Sequence, residues 1–108
     1  MRFGMTSSYG QDCPIARALD VLGEKWTLLV LRELFRHGPL RFQQLESALP
    51  GVAPNTLSSR LKSLEGSGVV ATRLYESHPP RFEYFLTPKG RALGPVLKAL
   101  HSWGERFG

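Results

Sequence analysis

The stretch PNTLSSRLKSLEGSG, residues 54–68, decides how the rest of the chain is read. Leu57, Leu61 and Leu64 recur at i, i+4 and i+7. That spacing puts the leucines on one side of a helix and leaves Asn55, Thr56, Ser59, Lys62 and Ser63 on the other. Gly66-Ser67-Gly68 ends the run. The leucine side predicts an anchor in a core. The opposite side fits an ordinary wet surface as well as it fits a reading surface, so its flanking elements have to decide.

Just upstream, FQQLESAL places Phe42, Leu45, Ala48 and Leu49 on one helical face before Pro50-Gly51 stops it. Two short helices joined by a tight turn give the outline of a helix-turn-helix. Just downstream, VVATRLY and RFEYFLT are β-branched and aromatic runs bounded by Gly68 and Pro88 and separated by ESHPP, which predicts a hairpin. A helix-turn-helix followed by a two-stranded hairpin is a winged helix-turn-helix. In that architecture the second helix enters the major groove of DNA.

Working outward, Pro14 suits a first helical position. Ile15, Ala18, Leu19 and Leu22 then share a face before Gly23. The next run, KWTLLVLRELFRHG, is apolar nearly all round, which predicts cover from other elements or from a second subunit. LRF after Pro39 predicts one or two strand residues. At the far end Thr87 reads as an N-cap and Pro88 as the first residue of a last helix. That helix carries a stripe of Leu93, Val96, Leu97, Leu100, Trp103 and Phe107, and a bend is expected at Pro95. The fold class is α+β, mostly helical: a flexible arm over residues 1–12 and a single domain over 13–108, with no internal repeat.

Composition agrees with this outline. The chain has 108 residues, the size of one domain, and a formal net charge of +5, which favours polyanionic partners. It contains no apolar run of the ~18 residues that spans a bilayer, and its first residues have no apolar signal-peptide core. No membrane role and a cytoplasmic location are therefore the expectations. The single cysteine, Cys13, excludes an internal disulfide and a paired-cysteine zinc site. His37, His78 and His101 stand in no evident catalytic or metal-binding arrangement with carboxylates or a cysteine, and no glycine-rich phosphate loop is present. No enzyme, no cofactor and no metal are expected.

A helix that enters a groove needs short polar or basic side chains on its outer face, because bulky apolar groups block approach to base edges. Asn55, Thr56, Ser58 and Ser59 stand near the N-terminus of residues 54–66, where contact is closest. Asn55, Thr56 and Ser59 are the candidates for base edges. Arg60 and Lys62 are candidates for phosphates, and Ser63 shares their face. Arg60 lies at the edge of the apolar side, where anchoring of the helix through a carboxylate competes with phosphate contact. On the hairpin, His78 and Arg81 are candidates for backbone contact, whereas Arg73 has Glu83 as a cross-strand alternative.

Four segments together resemble successive signatures of the HxlR-type transcriptional regulators, winged helix proteins related to the MarR regulators. They are CPIARALDVLGEKWTLLVLRELFRHGPLRF, LSSRLKSLEGSGVV, HPPRFEYFLTPKGRAL and LKALHSW. The likeness runs from Cys13 to about Trp103 and rests on four motifs in order: Cys-Pro at 13, Gly-x-Lys-Trp at 23–26, Arg-Leu-x-x-Leu-Glu at 60–65 and Tyr-x-Leu-Thr-x-x-Gly at 84–90. The resemblance implies a bacterial homodimer on double-stranded DNA, joined through its N- and C-terminal helices. The expected interface residues are Ile15, Leu19, Trp26, Leu93, Val96, Leu97, Leu100, Trp103 and Phe107. Two positions depart from the family pattern. Ala53 replaces the usual Ser or Thr cap, and Thr72, beside Arg73, replaces an arginine of the first wing strand.

Some members of the family respond to oxidants or electrophiles through a cysteine at the start of the first helix, and Cys13 matches that position. A helix N-terminus stabilises a thiolate, while Asp12 opposes it. The competing reading is a small, unreactive capping residue. With one cysteine per chain, any disulfide joins two subunits or takes up a small thiol. Two alternatives to a redox regulator stay open: a regulator answering to a small-molecule effector without redox chemistry, and a winged helix that docks a partner protein.

Overall fold

The computed structural model describes residues 7–108. The elements run α1 (Pro14–Leu22), α2 (Thr27–His37), β1 (Leu40–Arg41), α3 (Phe42–Ala48), α4 (Pro54–Gly66), β2 (Val70–Ser77), β3 (Pro80–Leu86), α5 (Pro88–Arg91) and α6 (Gly94–Phe107). β3 lies in the middle of an antiparallel sheet of order β1-β3-β2. The fold is a winged helix-turn-helix, as the sequence predicts.

One core holds the domain together. Val30, Leu31 and Leu34 of α2, Leu45 of α3, Leu57, Leu61 and Leu64 of α4, and Val70 and Leu86 of the wing strands form a single cluster. The leucine spacing of α4 thus does what its period requires, since all three leucines are sealed at 1% exposure or less. Leu49 and Val52, in the turn between α3 and α4, close the same cluster from below.

Trp26 is the one described residue other than glycine with a positive φ, 77°. That conformation costs a bulky residue about 1–3 kcal/mol. The cost is offset by packing: the indole rests against the core and lies near Gly51 in the helix-turn-helix turn. Trp26 is therefore an inward residue of the α1–α2 junction and does not stand on a free apolar face.

Two expectations are corrected. The hairpin tip is tighter than ESHPP suggested, because the strands continue to Ser77 and Pro80 and turn through His78 and Pro79. The last helix is broken, not bent. The ring of Pro95 would collide with the carbonyl of Arg91 and removes a donor. α5 accordingly ends at Arg91, and Pro95 falls in the first turn of α6, where no donor is needed.

Of the expected arm, residues 1–6 lie outside the described residues. Residues 7–12 fold back on α1, where Ser8 donates its backbone N–H and its hydroxyl to Asp20 at 3.1 and 2.5 Å. Among the described residues no helix is long and apolar enough to cross a membrane.

Candidate nucleic-acid interface

α4 is pinned at its middle and its C-terminal end and left open at its start. Arg60 Nε donates to the Lys25 carbonyl at 2.7 Å, and its guanidinium lies 3.8 Å from the Glu24 carboxylate. Arg60 thus ties α4 to the loop before α2, chiefly through a carbonyl and only weakly through the carboxylate. Two of the sequence signatures meet in this contact, since Lys25 belongs to Gly-x-Lys-Trp and Arg60 opens Arg-Leu-x-x-Leu-Glu.

The fourth signature, Tyr-x-Leu-Thr-x-x-Gly, pins the other end. Thr87 caps α5 by accepting from the Gly90 N–H at 3.1 Å, and its hydroxyl donates to the Gly68 carbonyl at 2.6 Å. Lys89 Nζ donates to the Ser67 carbonyl at 2.6 Å. Gly90 lies so close under the Val69 carbonyl that no Cβ fits there. The Thr-x-x-Gly spacing is therefore a clamp that fixes the chain leaving α4 against the chain leaving the wing.

The N-terminal half of α4 has no such restraint. Ala53 gives no side-chain cap, and Pro54 occupies the first turn. Asn55, Ser58, Ser59, Lys62 and Ser63 are exposed and Thr56 is half-buried. Lys62 pairs with no carboxylate among the described residues. The outcome is one rigid helix with a small, polar outer face, uncapped backbone donors at its start and an unpaired ammonium group. Such a start suits anionic oxygen atoms.

On the wing, Arg73 faces Glu83 across β2 and β3 and binds it at 2.7 Å, while its guanidinium lies over the Phe85 ring at 5.5 Å. Arg81 lies 3.4 Å from Glu76, with both side chains about half exposed. His78 is exposed at the turn. A further pair was not legible in the sequence: Arg41, the last residue of β1, reaches the Tyr75 hydroxyl at 3.4 Å, with its guanidinium 5.6 Å from the ring centroid. That contact spans 34 positions of sequence. The bonded Tyr75 hydroxyl raises the Arg41 pKa further above its ordinary value.

The apolar residues expected to join two subunits divide. Leu93 and Leu97 pack against the core, as Trp26 does. Ile15, Leu19, Val96, Leu100, Trp103 and Phe107 are exposed, with Ile15 at 72% and Phe107 at 64%, and α6 buries no residue at all. Between α2 and α6 runs a groove of about 660 Å³ lined largely by Leu28, Leu29, Phe35, Leu97 and Leu100.

Cys13 stands at the N-cap of α1 in extended backbone, half-buried. No side-chain cap hydrogen bond closes there, but the nearby backbone N–H groups of Ala16 and then Ile15 lower its pKa. Arg17 adds to this, and burial and Asp12 oppose it. No cluster of metal-ligating side chains occurs among the described residues.

Residues 21–108 match the family model described as HxlR-like helix-turn-helix. The chain belongs to the HxlR-like family. It is 48% identical over 96 residues to an uncharacterized HTH-type transcriptional regulator of Synechocystis, a match covering 89% of this chain and 70% of the relative. The solved structure of a MarR-family regulator from Porphyromonas gingivalis superimposes with a TM-score of 0.82 at 31% identity, covering 91% of this chain and 95% of that one. The redox regulator HypR in its reduced form superimposes with a TM-score of 0.81 at 33% identity, covering 87% of this chain and 92% of that one. This HxlR-like protein is a transcriptional regulator of the helix-turn-helix type.

Proposed function

We propose that this HxlR-like regulator binds double-stranded DNA as a homodimer at a pseudo-palindromic operator, each subunit placing the N-terminal half of α4 in a major groove. The observation that carries the reading is the division of α4. Three leucines are sealed in the core, Arg60, Thr87 and Lys89 fix its setting, and the face from Asn55 to Ser63 is left exposed. Asn55, Thr56 and Ser59 take base edges, Ser58 and Ser63 flank them, and Lys62 takes a phosphate. Arg60 positions the helix. Arg81 and His78 reach the adjoining backbone from the wing, with Arg81 exchanging Glu76 for phosphate. Half-sites lie about one helical turn, or a small multiple of it, apart.

The dimer half of the proposal is supported by the exposed stripe of α6 and by Ile15 and Leu19 of α1, apolar surface that one chain leaves uncovered. A gel-shift with duplex DNA from the region upstream of the gene, at low and at moderate salt, tests the whole. Retardation that weakens with salt is the expected result, and no retardation at either salt overturns it.

A redox role for Cys13 is favoured by the two N–H groups that stabilise its thiolate and by the likeness to HypR. Operator affinity of the wild type and of Cys13→Ser, each with and without diamide, tests it. The expected result is a change in the wild type alone; a wild type that does not respond removes the role.

A further inference from the structure

The wing and the helix-turn-helix touch at a point that neither the sequence motifs nor the proposed α4 contacts use. β1 runs antiparallel to β3, which returns from the hairpin tip, so β1 runs toward the tip. Arg41 therefore stands at the tipward end of β1, where it is also the residue that opens α3. The first helix of a helix-turn-helix is the one that crosses the DNA backbone, and Arg41 is its N-cap.

The setting of Arg41 suits an anion. Its own N–H donates to Gln44 Oε1 at 2.9 Å, which fixes the first turn of α3. Its side chain is exposed and rests on Tyr75, which sits at the irregularity in register between Leu74 and Glu76. Of the four arginines on β1, α4 and the wing, Arg60, Arg73 and Arg81 each have a carboxylate within 4 Å. Arg41 has none among the described residues. Glu83, its partner in register, is taken by Arg73 at 2.7 Å. An arginine steadied by an aromatic ring and its hydroxyl loses less freedom when it grips an oxyanion.

We infer that Arg41 is a DNA-phosphate ligand at the root of the wing, presented by Tyr75, which sets the wing and the helix-turn-helix in register on one backbone. The inference rests on the DNA-binding reading above. Tyr75 is a positioning residue and makes no phosphate contact of its own.

The test is fluorescence anisotropy of the full chain on a labelled duplex from the upstream region, titrated at several salt concentrations, with wild type, Lys62→Ala, Arg41→Ala, Arg41→Lys and Tyr75→Phe. Arg41→Ala is expected to weaken binding about tenfold per bound subunit near 0.1 M salt and to lower the salt slope by about 0.9 per subunit. Arg41→Lys keeps the slope and loses part of the affinity, because the charge remains and the planar fork does not. Tyr75→Phe keeps the slope and loses less affinity than Arg41→Ala. If Arg41→Ala leaves the slope unchanged while Lys62→Ala lowers it, the inference is wrong and the DNA-binding reading stands. If the wild type does not bind the duplex, both fall. Unchanged thermal midpoints for the Arg41 variants would separate a lost contact from lost folding. A slope unchanged by Arg41→Ala, with equal affinity losses for Arg41→Ala and Tyr75→Phe, would make the pair a mere latch and overturn the inference.

Discussion

α4 and α6 are both amphipathic helices of similar length, 13 and 14 residues, yet they end in opposite situations. α4 seals three leucines in its own chain's core and is tied down by Arg60, Thr87 and Lys89. α6 seals nothing and leaves Val96, Leu100, Trp103 and Phe107 exposed. One helix is completed by its own domain, so its second face is available for work. The other leaves its apolar face exposed in a single chain, and that face is the one the proposed dimer would cover. The difference is in partners, since each helix keeps a helical period of apolar residues.

The largest effect that tests this contrast is on stability. Leu61→Ala removes a side chain at 1% exposure and is expected to cost about 2–5 kcal/mol in chemical denaturation. Trp103→Ala removes a far larger side chain at 63% exposure, and in dilute protein it is expected to cost well under that. Under the proposed dimer its effect is expected in self-association, measured by sedimentation over a range of concentrations. A Trp103→Ala chain that associates as the wild type does breaks the comparison.

The clamp behind α4 comes next. Thr87→Ala loses the cap of α5 and the bond to Gly68, and about 1–2 kcal/mol is expected in the same denaturation experiment. Thr87→Ser keeps both bonds and is expected to lose much less.

The smallest effect sharpens the account of α1. The N–H groups of Ala16 and Ile15 lower the pKa of Cys13 in the folded chain. The sign follows directly: the folded thiol becomes thiolate at a lower pH than the unfolded one. Alkylation by iodoacetamide is then expected to rise at lower pH in the native protein than in the same protein in denaturant. By linkage, the stability gained is present above the unfolded pKa and fades as pH falls through the folded one. Coincident pH profiles contradict the capping geometry.

Much of the fold was legible because local rules and global packing agree. The leucine period of α4, Pro14 and Gly23 bounding α1, Pro50-Gly51, and Thr87-Pro88 each mark a boundary that the structure keeps. The break at Ala92 and Leu93 is not legible in the sequence, because Pro95 is compatible with both a kink and a fresh start, and the packing of Leu93 and Leu97 goes with the second. The site was legible in its outline but not in its pairings. Whether Arg60 faces out or back depends on the Lys25 carbonyl, 35 residues away, and the Arg41–Tyr75 contact spans almost the same distance. Periodicity assigns a face; it does not say which carbonyl or ring waits on the other side. The same limit applies to Trp26, whose left-handed backbone turns an apparent surface aromatic inward.

The central claim is that the outer face of α4 reads DNA while the rest of the helix only holds it in place. It is tested most directly by comparing wild type, Asn55→Ala, Ser59→Ala and Lys62→Ala on the upstream duplex and on a shuffled duplex of the same composition, across salt concentrations. The account predicts that Lys62→Ala weakens both duplexes alike and lowers the salt slope by about 0.9 per subunit, while Asn55→Ala and Ser59→Ala narrow the preference between duplexes and leave the slope intact. If Lys62→Ala changes neither affinity nor slope, and the other two leave the preference untouched, α4 is not the reading helix.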